Sequence, residues 1–136
     1  MALTKADLHL RSGEPEAARR CLLGLKGDKA SLLTALADAQ SGRMRDAEQA
    51  LTKLAEWSEE AQLHLALFQI ATRRHQKGLS LLESLRASNG DFADAARHQL
   101  MVHCETREEA TLEALFDEIE DPWIRREAET LLSTRP

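Results

Sequence analysis

The chain has 136 residues, of which 43% are hydrophobic and 30% are charged, and its formal net charge is −5 at pH 7. This length suits one compact domain, and the apolar fraction excludes a chain that is disordered by composition. The acidity lies mainly in residues 105–136, which hold 4 Lys or Arg against 10 Asp or Glu. A nucleic-acid binder needs a basic face to neutralise phosphates, and this charge distribution argues against one.

The apolar residues are mostly Leu and Ala, whereas Val occurs once, Ile three times, and aromatic residues five times. Because β-branched and aromatic residues are the strand formers, this balance predicts an all-α protein. No apolar run reaches the ~20 residues of a membrane span, and "MALTKADLHL" does not resemble a signal peptide, because its polar and apolar residues alternate. Cys21 and Cys104 belong to no paired motif, so we expect a cytoplasmic protein with reduced thiols.

In chain order, the periodicity of apolar residues predicts nine helices. They are expected near residues 3–12, 15–25, 29–40, 44–56, 59–74, 76–87, 92–104, 107–119 and 122–133. The breaks fall at "GLKGD", Gly42, "SNGD" and "DPW". Pro15 and Pro122 fall in first turns, where a missing N–H costs nothing, and Asp28 and Asp121 are predicted N-caps.

A sequence pattern recurs along this row of helices. "SGEPEAARRCLLGL" at 12–25 and "SGRMRDAEQALTKL" at 41–54 align Gly13 with Gly42 and Ala18 with Ala47. The position of Ala18 and Ala47 recurs at Gly78 and, more weakly, at Leu112. Successive members of this series are 29, 31 and 34 residues apart. This period is typical of stacked helix–turn–helix units.

The recurring positions have a physical role in a helical hairpin. A glycine such as Gly13 or Gly42 adopts the left-handed conformation that closes the first helix. Ala18 and Ala47 allow the paired helices to approach closely, and the Leu pair that follows each Ala faces the next hairpin. The sequence therefore predicts a single domain over residues 1–136. It comprises hairpins at about 3–25, 29–56, 59–87 and 92–119, followed by a terminal helix at 122–133.

These alanines resemble those in the second helix of the tetratricopeptide repeat (TPR). The resemblance implies a TPR-like right-handed superhelix of about four hairpins plus a C-terminal helix. The chain departs from the family pattern because it has no Tyr and lacks the Trp of the first helix and the Pro that ends each repeat.

The helices at 29–40 and 59–74 carry apolar residues on two sides, which is typical of enclosed helices. In a TPR-like superhelix, one side of each would line a concave groove suited to an amphipathic helix of a partner protein. The predicted partner-binding residues are Leu32, Leu36, Leu63, Leu67, Ile70 and Met101. The alternative is that these side chains form ordinary core, or that the acidic last helices fill the groove.

The sequence contains no sign of catalytic chemistry. None of the five histidines has a partner at metal-ligand spacing, and there is no nucleophile elbow or phosphate-binding glycine loop. We therefore expect no enzyme activity, no metal and no cofactor. Trp57 and Trp123 are candidate interface anchors, but the sequence favours packing at hairpin junctions for both.

Three stretches, "LKGDKASLL", "SGRMRDAEQALTKLA" and "LHLALFQIATRRHQKGLSLLESL", resemble cytosolic chaperones of type III secretion needle subunits, of the YscG/PscG type. The resemblance covers roughly residues 20–100. It implies a chaperone that sequesters an amphipathic helix of a needle-type subunit in the concave groove, with a small helical co-chaperone bound to it. The alternative function is a generic TPR-like adaptor or a self-associating scaffold module.

Overall fold

A computed structural model describes residues 1–103 and 109–133. Throughout these ranges the regular structure is α-helical, without strands, as the composition predicts. The helices are α1 Ala2–Arg11, α2 Pro15–Leu22, α3 Asp28–Gln40, α4 Met44–Leu54, α5 Glu59–Ala71, α6 His75–Ser88, α7 Ala93–His103, α8 Glu109–Glu118 and α9 Pro122–Ser133.

The predicted helices agree with the observed ones to within three residues at each end. The largest differences are at the C-terminal ends of α2 and α5, which stop three residues early. Gly24 and Arg73 have positive φ angles of 77° and 68°, and this left-handed conformation is incompatible with a continuing helix. The predicted ends at residues 104 and 107, and Cys104 itself, lie outside the described residues.

The chain divides into two compact units, Met1–Ala61 and Gln62–Pro136. In unit 1, α1 to α4 pack in succession, and α1 also contacts α3. Gln40 Nε2 donates to the Leu10 carbonyl oxygen at 2.8 Å, so the C-terminal ends of α3 and α1 lie together. The buried cluster of unit 1 consists of Ala6, Leu10, Ala18, Leu22, Ala30, Leu33 and Ala37.

Unit 2 is organised around α7, which packs against α6, α8 and α9. Its buried cluster draws on every helix of the unit. The members are Leu63, Ala66, Ile70, Leu82, Leu85, Ala96, Leu100, Met101, Leu112, Leu115, Ile119 and Ala128. Leu and Ala therefore provide nine of the twelve members of this cluster, as the composition predicts.

The predicted repeat is present in the backbone of the turns. At the ends of α1, α3 and α5, an N–H group donates to the carbonyl oxygen five residues earlier. The bonds are Glu14 to His9 at 2.7 Å, Arg43 to Asp38 at 2.8 Å and Arg74 to Gln69 at 2.7 Å. The preceding residue is left-handed each time: Gly13, Gly42 and Arg73. These turns are Schellman-type C-caps, repeated at the spacings of 29 and 31 residues.

The predicted close approach of helices at the small positions is also observed. Ala18 and Ala47 are completely buried. In unit 2 the corresponding residue is Gly78, where a Cβ atom would lie 2.5 Å from Ile70 Cγ1 and 2.6 Å from the Ala66 carbonyl oxygen. The α5–α6 hairpin is therefore packed too closely at this point for any side chain.

Three of the four predicted features of helix starts are confirmed. Pro15 and Pro122 each begin a helix. Asp121 Oδ1 accepts the N–H groups of Trp123 at 2.9 Å and Ile124 at 3.3 Å, as an N-cap does. The prediction for Asp28 was wrong: Gly27 is the N-cap of α3, and the Asp28 carboxylate accepts a hydrogen bond from Trp57 instead.

Candidate functional site

Four of the six predicted groove residues are buried. Leu63, Ile70 and Met101 belong to the core cluster of unit 2, and Met101 is only 2% exposed. Leu32, in unit 1, is buried as well. Apolar contact within the protein therefore already accounts for most of the surface of these side chains.

The other two predicted groove residues are half-buried. Leu36 packs against the edge of the unit 1 core, and Leu67 lies on α5 between the buried residues Ala66 and Phe68. Each keeps part of its side chain accessible. The groove hypothesis therefore depends mainly on Leu36 and Leu67.

Unit 1 also carries exposed apolar side chains, of which the sequence analysis named only Trp57, as a candidate interface anchor. Leu23 is 78% exposed, Trp57 is 54% exposed and Leu25 is 41% exposed, and Leu3 is exposed too. We call these four residues the apolar end of unit 1. Leu8 and Met44 of unit 1 are exposed as well, and singly exposed apolar residues are normal on a protein surface. The four residues are a candidate interaction surface because they lie at the same end of the unit.

Helix directions place these residues at one end of the unit. The Trp57 indole Nε1 donates to Asp28 Oδ2 at 2.9 Å, which joins the turn after α4 to the start of α3. Leu25 lies three residues before Asp28, in the α2–α3 loop that also contains Leu23. Leu3 is in the first turn of α1, and the C-terminal end of α1 lies with that of α3 at the opposite end.

The hydrogen bond to Asp28 determines what Trp57 offers to a partner. The only polar atom of the indole is already satisfied, so the exposed part of the ring is apolar. The bond also restrains the ring. An exposed aromatic side chain that is already ordered loses little conformational freedom on binding, which is a property of interface anchors.

The sequence analysis missed this surface because it extended the second helix to residue 25. On that basis Leu25 was expected to face the next hairpin, as Leu54 does in the second repeat. Leu54 is buried, but Leu25 is in a loop and exposed, because α2 ends at Leu22. The signal was available in the sequence, since Gly24 and Gly27 flank Leu25 and both have positive φ angles.

Trp123 lies at a helix junction, as predicted, but the expected packing is absent. Its ring is 74% exposed and is covered only in part by the guanidinium of Arg126, 5.5 Å from the ring centroid. The junction packing predicted for Trp123 was therefore wrong, whereas Trp57 is partly exposed but is hydrogen-bonded across a junction. Trp123 stands without other exposed large apolar residues among those described in unit 2.

The densest polar group of unit 2 surrounds the buried side chain of Arg97. Its guanidinium donates to Asp94 at 2.7 Å, to Asn89 at 2.9 Å and to Glu118 at 3.1 Å. Glu118 also accepts two hydrogen bonds from Arg86, at 2.6 and 2.8 Å. We call these five residues the Arg97 network, and it connects α6, α7 and α8.

The electrostatics of the Arg97 network are those of a structural ion cluster. Hydrogen bonding from Arg86 is the main reason that the pKa of Glu118 lies below its ordinary value, and Glu118 in turn raises the pKa of Arg86. Burial opposes ionisation of Asp94, but the N–H groups of Asp121 and Glu120 and the Arg97 guanidinium outweigh it and lower the pKa. Both carboxylates are therefore ionised and paired, which leaves neither available as a general base at neutral pH.

A histidine at the end of α7 has a shifted pKa. Burial lowers the pKa of His103, and the positive charge of His75 lowers it further. Within residues 1–103 and 109–133, His, Cys, Asp and Glu side chains form no group of three that is arranged to hold a metal ion. In the same ranges, no helix combines the length and apolar character needed to cross a membrane.

Comparison with protein-family models, with curated proteins and with solved structures finds no match for this chain.

Proposed function

We propose that this protein is a non-enzymatic protein-binding module whose partner docks on the apolar end of unit 1. The observation that carries the proposal is the joint exposure of Leu23, Leu25 and Trp57. Removal of apolar surface from water favours association, so three large apolar side chains at the same end of the unit favour a protein contact there. Trp in such a position is characteristic of binding hot spots.

The finer proposal follows from the family resemblances. The repeated hairpin turns support a TPR-like superhelix, and the groove that the resemblance implies would hold a partner helix. The partner would then be an amphipathic helix of a self-polymerising subunit of the type III secretion needle type, held in the cytoplasm by this chain as its chaperone. A small helical co-chaperone would be a second protein partner.

Self-association is the alternative function, and the same exposed residues favour it. A surface that carries Trp57 and Leu23 would also be buried if two copies of the chain met there. The two functions differ in what contacts this surface in the cell, which a cross-linking experiment can determine.

A photo-crosslinking amino acid placed in the full chain tests the proposal in the native host. We expect a probe at position 23 to capture a discrete protein, to be identified by mass spectrometry. The matched control is a probe at position 8, because Leu8 is 58% exposed but lies outside the apolar end. Equal capture at both positions, or capture of the chain itself alone, would contradict the proposal.

Probes at positions 36 and 67 test the groove in the same experiment. Capture of one helical subunit from these two positions would support the chaperone function. Capture from position 23 without capture from 36 or 67 would leave the protein-binding function in place and overturn the groove.

A further inference from the structure

The sequence contains a single asparagine, Asn89, and a glycine follows it. In an Asn–Gly pair the backbone nitrogen of the glycine readily attacks the asparagine side chain, because glycine has no side chain to obstruct the approach. Asn89 and Gly90 are both exposed, in the turn between α6 and α7. The reactive groups and the access of water that asparagine deamidation needs are therefore present in this turn.

The reaction needs no reagent other than water. The Gly90 nitrogen forms a bond to the side-chain carbon Cγ of Asn89, and the bond from Cγ to the amide nitrogen breaks. That nitrogen leaves as ammonia and takes the proton from the Gly90 nitrogen. Water then opens the resulting succinimide ring at either carbonyl, which leaves an aspartate or an isoaspartate at position 89. A carboxylate has then replaced the neutral amide.

The conformation of the turn opposes this ring closure. Asn89 ends α6 in the left-handed conformation, with φ 53° and ψ 31°. The five-membered ring can close only when the Gly90 nitrogen lies on the same side of the Asn89 Cα–C bond as Cβ. At this ψ angle the nitrogen lies on nearly the opposite side. Attack therefore requires a large rotation about the Cα–C bond, which opens the turn.

Hydrogen bonds on both sides of the Cα–C bond restrain this rotation. The buried Arg97 donates from Nη2 to Asn89 Oδ1 at 2.9 Å, and the Asn89 N–H donates to the Arg86 carbonyl oxygen at 3.3 Å. On the other side, the Gly90 carbonyl oxygen accepts the Ala93 N–H at 3.1 Å. Rotation moves Gly90 relative to the side chain of Asn89, so it cannot occur while the bonds to Arg97 and Ala93 both remain.

We infer that Asn89 is a site of spontaneous deamidation that the Arg97 network holds closed. Ring closure proceeds only in molecules whose α6–α7 turn has opened, so its rate follows the open population of the turn. The modification therefore marks chains in which this turn has opened. It is not reversed by closing of the turn, because ammonia has left.

The test follows the full chain by mass spectrometry during incubation at mildly alkaline pH, both folded and unfolded in guanidinium chloride. The mass of the intact chain reports the exchange of an amide for a carboxyl group, and digestion places it at position 89. We expect the unfolded chain to react much faster than the folded one. Loss of a hydrogen bond from a charged donor shifts an opening equilibrium by about tenfold or more. The folded variant Arg97→Lys, which keeps the charge but loses the planar fork, should therefore react about tenfold faster than folded wild type.

Two control variants separate the network from other effects. Arg45→Lys makes the same exchange at an exposed position of unit 1 and should leave the rate of the folded chain unchanged. Gly90→Ala should slow the reaction of the unfolded chain, because its methyl group obstructs the attacking nitrogen. Circular dichroism checks that each variant keeps its helices.

A measurement on wild type alone applies even where Arg97→Lys does not fold. Hydrogen exchange of the Ala93 N–H, which bonds to the Gly90 carbonyl oxygen, measures the open fraction of the turn. The deamidation rate of the folded chain should equal the rate of the unfolded chain multiplied by this fraction.

Three outcomes would overturn the inference. Equal rates for the folded and the unfolded chain would show that the turn does not restrain Asn89. A folded Arg97→Lys variant that reacts no faster than wild type would show that the Arg97 network does not hold the site closed. Absence of aspartate and isoaspartate at position 89 from the unfolded chain would show that there is no such site.

Discussion

At the scale of single residues, Arg73 shows where the repeat carries an unfavourable side chain. It has the left-handed conformation that Gly13 and Gly42 have in the equivalent turns. A side chain in this conformation costs roughly 1–2 kcal/mol, whereas glycine adopts it freely. The turn therefore forms because the packing of α5 and α6 requires it, against the local preference of its residue.

We expect Arg73→Gly to raise the free energy of unfolding by about 0.5–1 kcal/mol, because relief of this conformation exceeds the entropic cost of the glycine. Urea denaturation followed by circular dichroism measures the change. Gly42→Arg, the reverse exchange at the equivalent position, should destabilise the protein. A destabilised Arg73→Gly variant would show that the Arg73 side chain makes a favourable contact.

Gly78 is the opposite case, a position where the structure excludes any side chain. Gly78→Ala would bring Cβ to 2.6 Å from the Ala66 carbonyl oxygen, which belongs to the backbone and cannot rotate away. We expect a loss of about 1–3 kcal/mol of stability, as in other overpacked cores, although Ala is the better helix former. Ser80→Ala, at an exposed position of the same helix, is the control and should leave thermal stability nearly unchanged.

At the scale of helices, the Arg97 network connects α6, α7 and α8. Asp94 also accepts the N–H groups of Glu120 at 3.1 Å and Asp121 at 2.9 Å, so one carboxylate holds both Arg97 and the turn before α9. A buried guanidinium is tolerated only when its hydrogen bonds are satisfied. The network therefore joins these three helices through hydrogen bonds that satisfy the buried guanidinium.

We expect Asp94→Ala to cost about 3 kcal/mol at pH 7, because it leaves Arg97 without its closest carboxylate partner. The pKa of Asp94 is lowered by folding, so its contribution is fully present above the unfolded-state value and is lost as the pH falls through the folded-state value. The difference between wild type and variant in urea denaturation should therefore shrink below about pH 4.

Asp91→Ala provides the matched control for this measurement, since Asp91 is an exposed carboxylate three residues away. It should change stability by less than about 0.5 kcal/mol. A difference between Asp94→Ala and wild type that stays constant down to pH 2 would contradict an ionised role for Asp94.

At the scale of the whole molecule, the sequence allowed two interpretations of the six predicted groove residues. They could form ordinary core or a binding surface. Met101 is fully enclosed, while Leu36 and Leu67 are half-buried. We expect Leu36→Glu and Leu67→Glu to retain the helical circular dichroism signal. A partner held in the predicted groove would be lost from these variants, whereas a partner on the apolar end would stay bound. Met101→Glu should unfold the protein, because it places a charge in the core. Unfolding of all three variants would show that Leu36 and Leu67 are core residues, as Met101 is.

The sequence by itself determined the helices, their breaks and the small residues at their contacts, because these depend on residues close together in the chain. Gly13, Gly42, Ala18 and Ala47 all have the conformations or burial that their positions in the repeat predict. Only the tertiary structure decided which leucines are exposed. Leu25 and Leu54 occupy the same place in the repeat, yet one is in a loop and the other is in the core. Burial depends on which helices cover a residue, and this is a property of distant parts of the chain that local periodicity does not contain.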